Sequence, residues 1–251
     1  MIRKVSPPKP RVSCIFQNLP VLCFQAKAEY TFREVFSLNK KYASLSLVLL
    51  LTFLLWTAAV TAIDIRPIGP NGSLVGLAGL NGFVHRLAGV HMALYVLTDW
   101  LSLIPVLVIL GFGTMGLAQW IRRKSLQKVD RSLLVLGGFY GVTGAVYLFF
   151  EKVVVNYRPV LIEGILEASY PSSTTMLVIC VMSTACLQLR ERMRNTPFRK
   201  GLLILIGGFT VLMVIGRLLS GVHWITDIIG GILLSFGLVA MYAAITEKRD
   251  C

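Results

Sequence analysis

The chain has 251 residues, of which 55% are hydrophobic and only 15% are charged, and its mean hydropathy is +0.73. A soluble domain normally carries about 25% charged residues, so the composition excludes an ordinary soluble protein and predicts several membrane spans. The net charge of +13 would suit a nucleic-acid-binding protein, but the high apolar content argues against that class. We therefore expect no nucleic-acid partner.

Apolar runs divide the chain into a predicted tail and a predicted bundle. Residues 1–41 are polar and basic, which predicts a disordered cytoplasmic tail. Six runs long enough, or nearly so, to cross a bilayer follow, at Ala43–Ile63, Ala93–Trp120, Ser132–Phe150, Ser173–Leu189, Leu202–Leu218 and Ile225–Ile245. The predicted fold is all-α, a bundle of six transmembrane helices within residues 42–246, followed by a short cytoplasmic tail at 247–251.

The placement of basic residues predicts the orientation of this bundle. Lysine and arginine are concentrated in the N-terminal tail and in two loops, 121–131 and 190–200. Because cytoplasmic loops carry an excess of these residues, we expect both termini to be cytoplasmic. The protein is then integral to a membrane, expected to be a bacterial plasma membrane. In the first outer loop, the segment "FVHRLAGVHMAL" predicts a short interfacial helix.

Ionisable residues of the apolar segments collect at the outer ends of the last four predicted helices. His223 and Asp227 are four residues apart and hence on one helix face, so the carboxylate can fix the tautomer of an imidazole that acts as nucleophile or base. Arg158 and Arg217 carry planar guanidinium groups suited to phosphate. The segment "PSSTT" at 171–175 provides hydroxyls and backbone N–H groups at a helix N-terminus, where anions bind.

Each of these residues also has an ordinary structural interpretation. An arginine at a helix end usually extends to the membrane interface, and serines such as Ser172 and Ser173 are usually N-caps. A single interfacial histidine is most often structural. Their joint arrangement at one membrane face favours function, because ionisable groups at membrane depth are costly. The pattern predicts a phosphate pocket with a histidine nucleophile, facing outward.

At these positions the sequence resembles the type 2 phosphatidic acid phosphatase superfamily over about residues 43–245. That family has the motifs Lys-x6-Arg-Pro, Pro-Ser-Gly-His and Ser-Arg-x5-His-x3-Asp. The third keeps both spacings here at Arg217, His223 and Asp227. The positions that match the first two motifs are Arg158, Pro159, Pro171, Ser172, Ser173 and Thr174.

The resemblance implies a metal-independent lipid phosphate phosphatase that needs no cofactor. His223 would attack phosphorus and form a phosphohistidine, and Asp227 would orient it. The groups that would bind the phosphoryl oxygens are Arg158, Arg217, Ser172, Ser173 and Lys152. The substrate implied is a lipid phosphate or diphosphate in the membrane.

The sequence departs from the family pattern at four positions. Gly216 replaces serine and Ser173 replaces glycine, both with little expected consequence. Lys152 lies one residue closer to Arg158 than the family's lysine, whose spacing is occupied by Glu151. One residue turns a helical side chain by about 100°, so Lys152 and Glu151 stay as alternatives for that position.

The fourth departure is Thr174, where the family has the histidine taken to be the general acid. Threonine cannot protonate a leaving group near neutral pH, and such catalysis contributes about 10²–10⁴-fold. Three interpretations stay open: an inactive lipid-binding homologue, a variant made to trap a complex, or an enzyme active on substrates with good leaving groups. His85 and His91 are weak candidates for a replacement acid.

Two other classes of function compete with a phosphatase. A catalytically impaired homologue would bind lipid phosphate without turnover. A small transporter is disfavoured, because we find neither inverted repeats nor broken helices around a mid-membrane site. The identity of the lipid and the oligomeric state stay open.

Overall fold

The computed structural model describes residues 39–247, a range built from α-helices joined by irregular segments. The helices are α1 Lys40–Ala62, α2 Ala78–Ala88, α3 Met92–Leu101, α4 Leu103–Arg123, α5 Arg131–Lys152, α6 Ser173–Arg192, α7 Pro197–Leu219 and α8 Ile225–Thr246. Short 3₁₀ turns lie at Pro70–Gly72 and Leu126–Lys128. The predicted tails, 1–41 and 247–251, lie almost entirely outside the described residues.

Six helical segments of the described range are long and apolar enough to cross a membrane. They are α1, α5, α6, α7, α8 and a segment of 32 residues, Met92–Arg123, that joins α3 and α4 across Ser102. The predicted all-α bundle of six spans is therefore confirmed. The single short helix predicted over residues 83–94 is interrupted in the structure: α2 ends at Ala88, Gly89 follows with φ +69°, and α3 begins at Met92.

Two helices form the centre of the bundle. In α6 and α8, 61% of the most apolar stretch is buried, against 6–22% in the other spans. Helix α1 packs along α8, where Ser46 Oγ donates to the Gly237 carbonyl at 2.8 Å. The backbone N–H of Asn39 reaches the carbonyl of Ala244 at 2.9 Å, so the first and last described turns meet at one end of the bundle.

At that end, which carries the two basic loops, Asp130 connects three spans. Its carboxylate accepts hydrogen bonds from Gln119 at 2.8 Å, Arg192 at 3.0 Å and Arg123 at 3.1 Å. These donors, of which the Gln119 amide has the largest effect, lower the pKa of Asp130 to about 2. These bonds connect the ends of α4 and α6 to the start of α5.

The loops at the opposite end pack on one another. Gly221 has φ +71°, and a Cβ there would overlap the carbonyl of Gly89, so the turn before α8 sits directly on the turn after α2. The His91 N–H donates to the Ser220 carbonyl at 3.0 Å. These contacts hold the segment 220–224 in place against the segment 89–91 that joins α2 and α3.

Candidate active site

The residues singled out by the sequence lie at this second end of the bundle. Arg217 is in the last turn of α7, His223 lies in the turn before α8, and Asp227 is in the first turn of α8. Arg158 follows α5, and Thr174 opens α6. All five side chains are buried, with at most 8% of each residue exposed. Ionisable groups buried together at a helix end need an explanation beyond packing.

His223 and Asp227 are close, but a third residue stands between them. The distance from His223 Nδ1 to Asp227 Oδ2 is 3.8 Å, longer than a hydrogen bond. The hydroxyl of Ser169 lies 3.1 Å from His223 Nδ1 and donates a short hydrogen bond to Asp227 Oδ2. The direct imidazole–carboxylate bond expected from the four-residue spacing is thus replaced by a bridge through Ser169.

Several donors hold the Asp227 carboxylate from its other sides. Oδ2 accepts from the Trp224 backbone N–H at 2.9 Å, and Oδ1 lies 3.5 Å from Asn156 Nδ2 and from Thr226 Oγ1. Thr226 is in turn bonded through its backbone N–H and hydroxyl to Asn81 of α2, at 3.3 and 3.0 Å. The aspartate therefore has a fixed orientation in a buried polar network.

The other ring nitrogen of His223 has no hydrogen-bond partner in the described part of the chain. Nε2 is buried and has no hydrogen-bond acceptor or donor among the described residues. Burial lowers the pKa of His223 to about 4, and the charges of Arg158 and Arg217 act in the same direction. The negative charge of the nearby Asp227 carboxylate opposes this shift. A neutral imidazole with a free Nε2 lone pair is the nucleophilic form.

The two arginines meet at one aromatic ring. The guanidinium carbon of Arg217 lies 5.0 Å from the centroid of the Tyr95 ring, and that of Arg158 lies 5.9 Å from it, both within the range of cation–π contacts. Arg217 Nη1 also lies 3.8 Å from Asp99 Oδ1, and Arg158 Nε is 3.1 Å from Glu167 Oε2. Buried guanidinium nitrogens remain unpaired on both residues: Arg158 Nη1 and Arg217 Nε.

The start of α6 borders the same cluster. Ser172 is the N-cap, with its Oγ 3.5 Å from the Thr175 N–H, and its own N–H donates to the Asp227 carbonyl at 3.0 Å. Ser173 is half-buried. Thr174 lines a cavity of about 380 Å³ that runs between α5 and α6. The unpaired N–H groups of a first helical turn suit an anion.

Four other residues considered from the sequence lie apart from this group. Lys152 is the last residue of α5 and is exposed, as is Glu151. His85 packs against the Trp224 ring at 5.3 Å, and exposed His91 binds the Ala88 carbonyl at 3.0 Å through Nε2. Among the described residues, no hydrogen bond, ion pair or ring contact joins any of them to His223 or the two arginines.

Sequence reasoning missed Ser169, Tyr95 and Asn81. Ser169 stands two residues before Pro171 in the same polar segment, so a wider reading of "SYPSS" would have included it. Tyr95 and Asn81 carry no such signal, because their partners are distant in the sequence: Tyr95 lies more than 60 residues from both arginines, and Asn81 lies 145 residues from Thr226.

Comparisons with known proteins address the family and the fold. A model of the PAP2 superfamily matches residues 100–251. Phosphatidylglycerophosphatase B of Bacillus subtilis (strain 168) is 29% identical over 150 residues, which is 58% of this chain and 68% of that protein. The crystal structure described as the first transmembrane PAP2 type phosphatidylglycerolphosphate phosphatase, also from Bacillus subtilis, superposes with a TM-score of 0.54 at 21% identity, covering 79% of this chain and 93% of the other.

Proposed function

The chain belongs to the PAP2 superfamily of membrane phosphatases, and from that premise we propose that it hydrolyses lipid phosphates or diphosphates through a phosphohistidine at His223. The proposal includes a site at the outer face of a bacterial plasma membrane. The orientation rests on the basic loops, which lie at the end of the bundle opposite His223.

One observation carries the proposal: buried nitrogens of three side chains are left unpaired in one cluster. They are His223 Nε2, Arg158 Nη1 and Arg217 Nε. Buried polar groups are almost always hydrogen-bonded within a protein, and leaving one unpaired costs about 1–3 kcal/mol. A phosphoryl group accepts hydrogen bonds from both guanidinium groups and presents its phosphorus to the imidazole, so it accounts for all three.

The first chemical step transfers the phosphoryl group to the protein. The Nε2 lone pair of His223 forms the N–P bond while the bond from phosphorus to the leaving oxygen breaks. Arg158 and Arg217 stabilise the charge on the equatorial oxygens of the transition state, together with the N–H groups at the start of α6. No metal ion or cofactor takes part in this scheme.

The second step regenerates the histidine. A water oxygen bonds to phosphorus, the N–P bond breaks, and the electron pair returns to Nε2. The proton that the attacking water loses goes to solvent, and inorganic phosphate leaves. The low pKa of His223 favours this step, because the departing imidazole is weakly basic.

Thr174 restricts the leaving groups that this site serves. A phosphomonoester expels an alkoxide that needs a proton, and threonine does not supply one near neutral pH. A lipid diphosphate expels a phosphate monoester, a weak base that departs without a proton. We therefore assign lipid diphosphates, such as an isoprenyl diphosphate, as the preferred substrates. Phosphomonoesters, including the phosphatidylglycerophosphate for which the Bacillus relative is named, are expected to react more slowly.

Thr174 also favours a second candidate function. In an impaired homologue the same cluster binds a lipid phosphate without turnover. The buried arginines would serve binding alone, and His223 would stay unmodified.

The test is phosphate release by purified protein in detergent micelles or bilayers. The substrates are a long-chain isoprenyl diphosphate and phosphatidate, and His223→Ala is the blank. Turnover of the diphosphate that His223→Ala abolishes supports the enzyme, and equal rates on both lipids contradict the leaving-group argument. Silence towards both, with tight lipid binding, supports the impaired homologue.

A further inference from the structure

We propose that Ser169 is a positioning residue, a hydroxyl relay that couples Asp227 to the nucleophile His223 and selects its reactive tautomer. The catalytic consequence rests on the proposed function, whereas the effect on the tautomer stands without it.

The Ser169 hydroxyl provides the shortest hydrogen-bonded connection between the His223 imidazole and the Asp227 carboxylate. Ser169 Oγ lies 3.1 Å from His223 Nδ1 and donates to Asp227 Oδ2, while the imidazole and carboxylate are 3.8 Å apart. All three residues are at most 3% exposed. In such a buried site a hydrogen bond is electrostatically stronger than in water.

The number of hydrogens fixes the direction of the relay. An ionised carboxylate only accepts, so the single hydroxyl hydrogen of Ser169 goes to Asp227. The oxygen then has only lone pairs to offer Nδ1, and Nδ1 must carry the hydrogen of the neutral imidazole. Nε2 is left with the lone pair, and this is the buried nitrogen with no partner among the described residues.

Ser169 is itself held rigidly. Its N–H donates to the Asn156 carbonyl at 2.9 Å. The next residue, Tyr170, is buried, and its hydroxyl lies 2.6 Å from Thr57 Oγ1. Gly230 of α8 lies against that ring, where a Cβ would come within 2.7 Å of it. The hydroxyl therefore has little freedom to leave the space between His223 and Asp227.

The relay also stabilises charge during phosphoryl transfer. When Nε2 bonds to phosphorus, positive charge develops on the ring and strengthens the hydrogen bond that Nδ1–H donates to Ser169 Oγ. This polarises the Ser169 hydroxyl, and the hydrogen bond that it donates to Asp227 becomes stronger in turn. Without Ser169, Asp227 is too far away to bond Nδ1, and the ring is free to place its hydrogen on Nε2, which is unreactive.

The first test reads the tautomer directly. The chain has three histidines, so ¹⁵N-histidine magic-angle-spinning NMR in bilayers gives three ring systems, assigned with His85→Gln and His91→Gln. At pH 7 we expect His223 as the Nδ1–H tautomer in the wild type and in Ser169→Thr, which keeps the hydroxyl. Ser169→Ala is expected to mix in the Nε2–H form. Ser235→Ala, which removes another buried serine hydroxyl from the bundle, is expected to change nothing.

A His223 tautomer that is the same in Ser169→Ala as in the wild type overturns the proposal. Unchanged His85 and His91 signals show that the variant is folded. If those signals change, Ser169→Cys takes its place, since the thiol fills the space but hydrogen-bonds weakly; an unchanged tautomer in that variant overturns the relay equally.

The second test is kinetic, on the isoprenyl diphosphate. We expect Ser169→Ala to lower kcat about 10–100-fold, the effect of losing one hydrogen bond to a charged group, with KM within about twofold because no phosphate contact is removed. Ser169→Thr should recover most of kcat. A wild-type kcat in Ser169→Ala contradicts the relay, whereas turnover that survives His223→Ala contradicts the proposed function instead.

Discussion

Arg217 holds its guanidinium carbon 5.0 Å from the centroid of the Tyr95 ring, and Arg158 approaches the same ring at 5.9 Å. One tyrosine of α3 thus contacts both proposed phosphate-binding cations. Tyr95 precedes the range matched by the family model, which begins at residue 100. A segment outside that range therefore helps to set the spacing of the two arginines.

We expect Tyr95→Leu to weaken substrate binding. Each cation–π contact contributes about 0.5–2 kcal/mol, so its loss should raise KM about 3–30-fold, with a smaller change in kcat. Tyr95→Phe keeps the ring and should stay near the wild type. Trp100→Leu, an exposed aromatic on the same helix, is the matched control. A KM for Tyr95→Leu no higher than that of this control would show that the Tyr95 ring does not contribute to substrate binding.

Restoring a histidine at position 174 should broaden the substrate range. Thr174 borders a cavity of about 380 Å³, which offers room for an imidazole. We expect Thr174→His to raise turnover of phosphatidate about 10²–10⁴-fold and that of the isoprenyl diphosphate far less, because only the alkoxide needs a proton. Rates of phosphate release on the two lipids measure the ratio. Equal gains on both would show that protonation is not what position 174 limits.

The low pKa of His223 makes stability depend on pH in a defined window. Burial lowers this pKa from 6.5 to about 4, so below pH 6.5 the unfolded chain binds a proton that the folded chain does not. The stabilisation is complete above pH 6.5 and is lost as the pH falls towards 4. At pH 5 the loss is about 1–2 kcal/mol.

The measurement compares the wild type with His223→Gln. We expect the wild type to lose more of its Tm between pH 7.5 and pH 5 than the variant does, by a few degrees for a loss of this size. The pKa of His85 is also lowered by burial. Because His85 is present in both proteins, its contribution to the change in Tm cancels in the comparison. Parallel changes in Tm for the two proteins would show that His223 titrates normally.

Asn81 connects α2 to Asp227 through Thr226. Its amide donates to the Gly76 carbonyl at 2.8 Å and to Thr226 Oγ1 at 3.0 Å, and its carbonyl accepts from the Thr226 N–H. We expect Asn81→Ala to destabilise the protein by about 1–3 kcal/mol, because it leaves buried groups unpaired.

Thermal unfolding and kinetics together check the role of Asn81. Turnover at a permissive temperature should fall with little change in KM, since Asp227 loses support through Thr226 while the arginines are untouched. Asn195→Ala, in an exposed loop at the other end of the bundle, should leave both Tm and kcat unchanged. A Tm for Asn81→Ala equal to that of this control would contradict the linkage.

The sequence alone determined the architecture and part of the site. Apolar runs of about 20 residues predict membrane spans because a bilayer core requires that length, and all six were found as helices. The four-residue spacing predicted that His223 and Asp227 lie close together on one helix face, but His223 lies in the turn before α8 and the direct hydrogen bond is absent. Charge asymmetry between loops predicted an orientation that stays a prediction.

Only the tertiary structure decided how the residues of the candidate site are connected. Ser169 bridges residues 54 and 58 positions away, and the Tyr95 ring joins arginines that belong to two other segments of the chain. Periodicity describes the face of a single helix, and it contains no information on which distant segment packs against that face. The 3.8 Å gap between His223 and Asp227, and the hydroxyl that fills it, follow from the packing of the loop before α6 against the start of α8.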